Sequence, residues 1–343
     1  MKEIIALQPR ERGQVFQETA TRMRIAAVSV EKDFWVCWTL EKLFALPGWK
    51  DHLTFKGGTS LSKAYGLLKR FSEDIDLVVD RPFLGFTDEL PLKEAESNRA
   101  KNRWLQRLIA KSSEALREDL MPALQVSIGQ ELGATGWSLD LAPEEGTPEG
   151  NALLFTYPAV FGAGGYVNPI VKLELVARAD NWPNEKRQVK PYVYDALQGR
   201  LPPCEVTVRT LSPVRTLWEK TLLLHEEYHR PHTKPRRQRL ARHYYDLWAL
   251  LSNAALLDAA LSTVPELLPD IVAQREAFFK SSWGHFDTMK LGSLRVMPHP
   301  DHMNYWTNDY DAMGEEMIFG DRPSFDEILN TVKAFEASVN RNP

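Results

Sequence analysis

The hydrophobic pattern changes its period along the first 210 residues. In residues 15–46 the apolar positions recur at spacings of three and four, which predicts helix. In residues 74–80 acidic and aliphatic side chains alternate, which predicts a strand. Further strand candidates are residues 53–55, 124–129, 137–141, 151–157, 169–178 and 205–210. Because both kinds of element alternate here, we expect an α+β domain over residues 1–210.

The pattern of the remaining residues is helical. Ser212 followed by Pro213 is typical of a helix start, because serine caps a free amide group and proline fits the first turn. Helical spacing recurs at residues 212–228, 240–252, 254–262, 264–280 and 324–339. We therefore predict an all-helical second domain over residues 211–343.

Composition and charge narrow the class of protein. The 343 residues include 42 Lys and Arg against 46 Asp and Glu, and this net charge of −4 excludes a histone-like polycation. The two cysteines, Cys37 and Cys204, cannot form a disulfide framework and indicate a reducing compartment. The sequence has neither a signal-peptide pattern nor the roughly 20 apolar residues that cross a bilayer. We expect a soluble cytoplasmic protein with no membrane partner.

Two carboxylates lie close together in the predicted strand at residues 74–80. Asp74 and Asp76 are two residues apart, so both side chains leave the same face of that strand. Their mutual repulsion destabilises the strand unless a cation lies between them. Divalent ions that prefer oxygen ligands, such as Mg²⁺, fit this role. For the pair alone, a solvated strand face is the alternative interpretation.

A glycine pair precedes these acids. Gly57 and Gly58 begin a turn without side chains, and the helical pattern that follows offers free amide groups suited to a triphosphate. Thr59 and Ser60 add hydroxyl groups that could contact the same phosphates. An ordinary turn is the alternative for the glycines alone. The order strand, Gly-Gly, helix, Asp-x-Asp strand is more specific than either motif and predicts a phosphate site beside metal-binding carboxylates.

A further acid lies on another predicted strand. Lys172 and Glu174 share one face of the strand at residues 169–178. A phosphoryl-transfer site with two metal ions needs a third carboxylate, and Glu174 could supply it. The alternative is a strand face stabilised by the Lys172–Glu174 ion pair.

The helical half contributes two isolated charges and one basic segment. Lys220 and Asp246 each lie among apolar residues of predicted helices. Between them, residues 229–243 carry six Lys or Arg, three His and no acid. Such a segment indicates contacts with an RNA phosphate backbone. A solvated loop with ordinary positive charge is an equally good interpretation.

A competing function comes from residues 225–229, HEEYH, which fit the H-E-x-x-H pattern of zinc hydrolases. Pro231 would end the helix just after this motif. No Gly-x-x-His continuation follows, and residues 230–265 contain no glutamate to act as a third ligand. A third possibility is a protein that binds nucleotide without turnover, although the retained acids argue for chemistry.

Several segments resemble the AbiEii/AbiGii nucleotidyltransferase toxin family, which includes the mycobacterial MenT enzymes. The matching segments, in the order of the family, are EKDFWVCWTL, FKGGTSL, RFSEDIDLVV, VKLELVAR, LWEKTLLL, RHYYDLW, NDYDAM and PSFDEIL. The resemblance implies a DNA polymerase β-like nucleotidyltransferase fold, with a mixed sheet and flanking helices, followed by a helical domain. It also implies a toxin of a toxin–antitoxin or phage-defence system, with an antitoxin as a possible partner.

The resemblance further implies roles for individual residues. The implied nucleotide-binding residues are Lys56, Gly57, Gly58, Thr59, Ser60, Ser72 and Arg242. The implied catalytic residues are Asp74, Asp76, Lys172, Glu174, Lys220 and Asp246, and the acids Asp74, Asp76 and Glu174 would hold two Mg²⁺ ions. The expected reaction is transfer of a nucleoside monophosphate from an NTP to an RNA acceptor. In the MenT branch that acceptor is the 3′ end of tRNA.

Overall fold

The computed structural model describes residues 1–72, 74–87, 97–143, 151–162, 168–236, 238–279 and 281–341. These residues form two compact units. The first contains Met1–Tyr65 and the described residues between Phe71 and Leu211. The second contains Gly66–Arg70 and the described residues from Ser212 onward.

The first unit contains helices and strands in alternation. Its helices are α1 (Lys2–Ile5), α2 (Pro9–Met23), α3 (Ala27–Ala45), α4 (Gly57–Lys63), α5 (Asn98–Ala115), α6 (Met121–Leu132) and α7 (Tyr192–Ala196), with a 3₁₀ turn at Arg81–Leu84 and a π turn at Leu116–Leu120. Its strands are β1 (Leu53–Lys56), β2 (Ile75–Val79), β3 (Ser138–Pro143), β4 (Asn151–Thr156), β5 (Ile170–Val176), β6 (Asn184–Val189) and β7 (Val206–Leu211).

The seven strands form one mixed sheet in the order β3-β4-β5-β2-β1-β7-β6. Strand β2 runs parallel to β5 and antiparallel to β1, and β1 runs parallel to β7. The outer pairs β3–β4, β4–β5 and β6–β7 are antiparallel. This arrangement confirms the predicted α+β class, a mixed sheet with flanking helices.

Helix α3 is buried on almost its whole circumference, from Ser29 to Leu40. It contacts β5 and β7, so it covers the sheet as an internal helix. Trp38 stacks on Phe155 of β4 with ring centroids 5.6 Å apart, and Trp35 meets the same ring edge-on at 6.1 Å. These aromatic contacts pack β4 of the sheet against α3.

The strand prediction for residues 124–129 is wrong, because this segment lies within α6. Leu124 and Ile128 are buried and four residues apart, whereas Val126 is 61% exposed. The apolar residues of this segment alternate in the sequence, but only the pair with helical spacing faces the core. Strand β6 and helix α7 lie in a stretch where the sequence pattern predicted no element.

Every named element of the second unit is helical. Its helices are α8 (Pro213–His229), α9 (Arg242–Leu251), α10 (Ala254–Ser262), α11 (Val264–Phe278), α12 (Met303–Met317) and α13 (Phe325–Arg341), with 3₁₀ turns at Phe286–Thr288 and Pro300–His302. The predicted start of α8 is confirmed, because the Val214 amide donates to Ser212 Oγ at 3.2 Å and Pro213 occupies the first turn. Trp218 and Phe335 pack together in the core. Of the helices within the described residues, none combines the length and the apolar content that crossing a membrane requires.

Candidate active site

The site begins at the bend between β1 and α4. Gly57 has a positive φ of +81°, a conformation that residues with a side chain rarely adopt. A Cβ atom at Gly57 would lie 2.9 Å from Asp76 Cγ and closer still to Asp76 Oδ2. The Asp76 carboxylate therefore occupies the space that any other residue at position 57 would fill. Glycine at position 57 therefore permits both the positive φ of the turn and the close contact of the Asp76 carboxylate with the backbone.

A row of polar residues crosses three central strands next to this bend. In the strand register Lys56 of β1 lies opposite Asp76 of β2, and Asp76 lies opposite Glu174 of β5. Paired residues of neighbouring strands are about 4.8 Å apart and point to the same face of the sheet. All three are half-buried. The next residue in the row is Ala152 of β4, whose short side chain leaves room beside Glu174.

Lys172 contributes a positive charge to this face. Its Nζ forms an ion pair with Glu174, two residues further along β5. Both side chains are about one quarter exposed, at 27% and 25%. The contact agrees with the simpler interpretation, a strand face stabilised by an ion pair. The stronger argument for a site is the Asp76–Glu174 register, which joins acids that are 98 positions apart in the chain.

Asp74 lies immediately before β2 rather than within it. Its carbonyl oxygen accepts a hydrogen bond of 2.6 Å from Thr59 Oγ1, which also lies 2.8 Å from Ser72 Oγ. Because a carbonyl can only accept, the Thr59 hydroxyl donates to Asp74 and the Ser72 hydroxyl donates to Thr59. Ser60 Oγ donates to the Gly57 carbonyl at 2.9 Å. The Thr59 and Ser60 hydroxyls therefore fix the bend that carries Gly57.

A buried ion pair anchors the other end of α4. Lys63 Nζ lies 2.7 Å from Asp33 of α3, and both side chains are almost completely buried. The Lys63 ammonium also lies 3.7 Å from the centre of the Tyr192 ring, a cation–π contact. Asp33 accepts a second hydrogen bond, from the Tyr192 amide at 2.7 Å. Helix α4 is seven residues long, so these contacts hold a short element in place.

The residues of the carboxylate site fit a divalent metal ion by the chemistry of their donors. Asp74, Asp76 and Glu174 offer only carboxylate oxygens, the ligands that Mg²⁺ prefers. Their oxygens do not all lie within 4.8 Å of one another. Like charges on adjacent strands repel, so a closer approach requires a cation between them. The Lys172 ammonium on Glu174 shows that this face of the sheet already attracts positive charge.

The other predicted site residues belong to the second unit. Asp246 is completely buried and accepts two hydrogen bonds from Arg70, from Nε at 2.6 Å and Nη2 at 2.8 Å. Lys220 Nζ lies 2.8 Å from Asp246 Oδ2, the oxygen that also accepts from Arg70 Nη2, and 3.4 Å from His243 Nδ1. Although burial opposes it, the charges of Arg70 and Lys220 hold the pKa of Asp246 well below its ordinary value. Asp246 is therefore an ionised anchor for two cations.

Arg242, the first residue of α9, is half-buried beside this network. Its charge is one of the causes that lower the pKa of Lys220, after burial, which is the largest cause. The structure thus brings Lys220 together with Asp246, and Asp76 together with Glu174. A common role of the two groups in catalysis remains a prediction.

The HEEYH segment is arranged as structural residues rather than as a zinc site. His225 Nδ1 accepts a hydrogen bond of 2.9 Å from the Arg295 amide, and His225 Nε2 lies 3.1 Å from Thr288 Oγ1. Both ring nitrogens therefore have protein partners. Glu226, the residue that would act as general base, forms an ion pair with Arg275. The geometry argues against the zinc hydrolase alternative.

His225 predicts a pH dependence of stability. Burial lowers its pKa to about 4, and the charge of His229 acts in the same direction. In the unfolded chain a histidine has a pKa of about 6.5. Between these values the unfolded state binds more protons, so stability falls as the pH decreases from 6.5 to 4, by up to about 3 kcal/mol from this group. Urea unfolding at a series of pH values should show this decrease.

The matched variants for that experiment are His225→Asn and His52→Asn. Asparagine at 225 can still accept from the Arg295 amide but does not titrate, so part of the decrease should disappear. His52 lies in the first unit, and 40% of its side chain is exposed to solvent. Its replacement should leave the decrease in stability at low pH unchanged. An unchanged pH profile in His225→Asn would refute this assignment.

Some cations of the basic segment, residues 229–243, form contacts within the protein. Arg230 makes a two-pronged ion pair with Glu227, with hydrogen bonds of 2.7–3.0 Å. Arg236 lies 3.7 Å from the same carboxylate and also contacts the Tyr305 ring. Lys234 is exposed. Arg230 and Arg236 thus stabilise the end of α8.

Gly57 supplies a test of the bend in which a second glycine is the control. Gly48 has almost the same φ, +79°, but a Cβ atom there would meet nothing within 4 Å. We expect Gly48→Ala to cost roughly 1 kcal/mol of stability from backbone strain alone. Gly57→Ala has the same strain and also displaces the Asp76 carboxylate, so the nucleotidyl transfer that the family resemblance implies should fall at least about 100-fold. Equal activity of the two variants would contradict the role of Gly57.

The sequence did not reveal Arg70 or Lys63 as partners of buried acids. Arg70 lies 176 positions before Asp246, and Lys63 lies 30 positions after Asp33. For both Arg70 and Lys63, the only local sign of such a role is that a basic residue lies in an apolar segment. The structure assigns Arg70 as the residue that orients Asp246.

Comparison with known proteins gives the family. Residues 38–331 match the family described as "Nucleotidyl transferase AbiEii toxin, Type IV TA system". Among solved structures, the chain is similar to MenT4, a nucleotidyltransferase toxin from Mycobacterium tuberculosis H37Rv, at 16% sequence identity and a TM-score of 0.41, with 98% of each chain covered. No curated protein matches the sequence. Membership of this family implies a nucleotide substrate and an antitoxin partner. The chain belongs to the AbiEii family of nucleotidyltransferase toxins of type IV toxin–antitoxin systems.

Proposed function

We propose that this enzyme transfers a nucleoside monophosphate from an NTP to the 3′ hydroxyl of an RNA, with tRNA as the acceptor, in a Mg²⁺-dependent reaction. The observation that carries the proposal is the register of Asp76 opposite Glu174, with Gly57 leaving space for the Asp76 carboxylate. This arrangement keeps two acids at one point of the sheet face. Two carboxylates in register at one point of a sheet face support a cation-dependent function.

The proposed reaction forms a bond between the acceptor oxygen and the α-phosphorus of the NTP. The bond from that phosphorus to the bridging oxygen breaks, and pyrophosphate leaves with the electron pair. The acceptor hydroxyl releases its proton to solvent. Bound Mg²⁺, held by Asp74, Asp76 and Glu174, would supply Lewis-acid stabilisation of the charge that develops on the phosphate oxygens. Two ions are proposed, because a pair of ions could stabilise both the attacking and the leaving oxygen of the displacement.

The side chains around the acids have separate tasks in this proposal. Lys56, in register with Asp76, and Lys172, paired with Glu174, would neutralise the triphosphate charge. The backbone amides of Gly57 and Gly58 would contact the phosphates. Thr59 and Ser60 would act indirectly, because their hydroxyls donate to backbone carbonyls at the bend.

The proposal also includes how the RNA acceptor is bound, where the enzyme acts in the cell, and its role with an antitoxin. The basic segment would contact the RNA backbone through the cations that Glu227 does not bind, of which Lys234 is exposed. Lys220, Asp246 and Arg242 are proposed to support this step from the second unit. We place the enzyme in the cytoplasm, where NTPs and tRNA occur, and propose a role in toxin–antitoxin control or phage defence.

The test is incubation of the purified protein with total RNA and each of the four NTPs, labelled at the α-phosphorus. We expect label in an RNA band of tRNA size with at least one NTP, and loss of that label when a chelator removes divalent ions. A protein that binds nucleotide without turnover would retain NTP on a filter and leave all RNA unlabelled. That result would refute the proposed reaction.

A further inference from the structure

Three histidines of the second unit converge at a place that the proposed reaction does not use. His232 lies in the loop after α8, and His299 and His302 lie on either side of Pro300 and Asp301 at the 3₁₀ turn. One ring nitrogen from each histidine lies within 4.8 Å of the others. The centre of the His232 ring is 4.2 Å from that of His302 and 5.8 Å from that of His299.

A carboxylate lies beside two of these histidines. Asp301 Oδ2 lies 3.5 Å from His232 Nε2 and 3.6 Å from His299 Nδ1, but Asp301 does not belong to the group of ligand atoms that all lie within 4.8 Å of one another. Its negative charge at this position favours a nearby cation. The Asp301 amide donates to His299 Nδ1 at 3.3 Å, and a metal ion bound at this nitrogen would replace that hydrogen bond.

We propose that His232, His299 and His302 bind one divalent transition-metal ion of the zinc type, with water at the remaining position. Among the residues that the structure describes, this is the one group of three or more His, Cys, Asp or Glu side chains whose ligand atoms lie this close together. The ligand set distinguishes it from the carboxylate site. Imidazoles select zinc-type ions, whereas Asp76 and Glu174 offer the hard oxygens that Mg²⁺ prefers.

The bound ion would have a structural consequence within the second unit. His232 belongs to the basic segment, residues 229–243. The other two ligands are His299, immediately before the 3₁₀ turn at Pro300–His302, and His302, its last residue. These ligands come from segments about 67 positions apart in the chain, so one ion would join them. The basic segment would be held against the 3₁₀ turn by coordination in addition to its contacts with Glu227. The site is distinct from HEEYH, because neither His225 nor His229 belongs to the cluster.

The experiment uses the full chain without an affinity tag, freed of metal by chelator dialysis and then dialysed against zinc. We expect one zinc per chain by elemental analysis and a rise in Tm of roughly 5 °C at saturating zinc, with no such rise in Mg²⁺. His299→Ala and His302→Ala should each weaken zinc binding at least about 100-fold. Circular dichroism without metal should show that both variants are folded.

Two controls separate this site from the others. His52→Ala removes a histidine of the first unit outside the cluster and should retain one zinc per chain. Asp76→Asn should also retain zinc, so failure of the proposed nucleotidyl transfer would leave this result unaffected. The proposal is overturned if wild-type protein retains no zinc, or if stoichiometric zinc persists in both His299→Ala and His302→Ala.

Discussion

Asp76→Asn should reduce nucleotidyl transfer by at least about 1,000-fold, which corresponds to about 4 kcal/mol of transition-state stabilisation. Asparagine has nearly the same volume as aspartate, so the side chain still fits the space beside Gly57. The variant loses one negative charge in the row formed by Lys56, Asp76 and Glu174. Metal-binding capacity and charge balance therefore change while the fold is maintained. Incorporation of α-labelled NTP into RNA measures the loss.

A matched variant controls for the loss of a carboxylate from the same sheet. Asp140 lies on β3, at the opposite edge from the bend, and its exposed side chain accepts a hydrogen bond from Ser138. We expect Asp140→Asn to retain wild-type incorporation. Unfolding midpoints of both variants should stay close to that of the wild type. Wild-type incorporation by a folded Asp76→Asn protein would contradict the assignment of Asp76.

Asp246→Ala should destabilise the protein by about 3–5 kcal/mol, the largest stability effect that we predict. The substitution leaves the Arg70 guanidinium and the Lys220 ammonium without the anion that binds both. Arg70 is 4% exposed, so its charge cannot regain water without local unfolding. Urea unfolding followed by circular dichroism gives the free energy directly. The exposed Asp258 on α10 is the control, and Asp258→Ala should change stability by less than about 0.5 kcal/mol.

A triple variant separates charge from packing at the same place. Replacing Arg70, Lys220 and Asp246 together with Met, Met and Leu removes the charges but keeps apolar volume, and should restore most of the lost stability. The lowered pKa of Asp246 gives a further check. Its ionisation stabilises the fold above the ordinary aspartate pKa of about 3.9, so the advantage of wild type over Asp246→Asn should shrink as the pH falls below that value. If Asp246→Ala were as stable as the wild type, the network would have no structural role.

The strand pattern of the sheet was largely predictable, but its register was not. Along β5 the apolar residues at 171, 173 and 175 are buried, and the charged pair between them is half-exposed, as alternation predicts. Nothing local places Glu174 opposite Asp76, because that pairing depends on how distant strands assemble. The α+β class, the family and the enzyme class could therefore be predicted, whereas the convergence of the acids required the structure.

The exceptions have physical causes. Residues 124–129 contain apolar residues at both helical and strand spacing, so the sequence pattern is ambiguous. In the structure Leu124 and Ile128 lie on the buried face of helix α6. Gly57 was visible in the sequence as a turn residue, but the atom that fills its missing side chain belongs to Asp76, on the next strand. The histidine cluster was missed for a similar reason. Two of its members, His299 and His302, are three positions apart in the segment HPDH, but His232 comes from a separate loop.

The most direct test of the central claim is the fate of each phosphate of the NTP. The protein is incubated with total RNA and the preferred NTP, labelled either at the α-phosphorus or at the γ-phosphorus. Nucleotidyl transfer at Asp76 and Glu174 predicts α-label in RNA and γ-label in free pyrophosphate, with both signals lost in Asp76→Asn. Transfer of the γ-label to RNA, or the absence of α-label from RNA with every NTP, would contradict it.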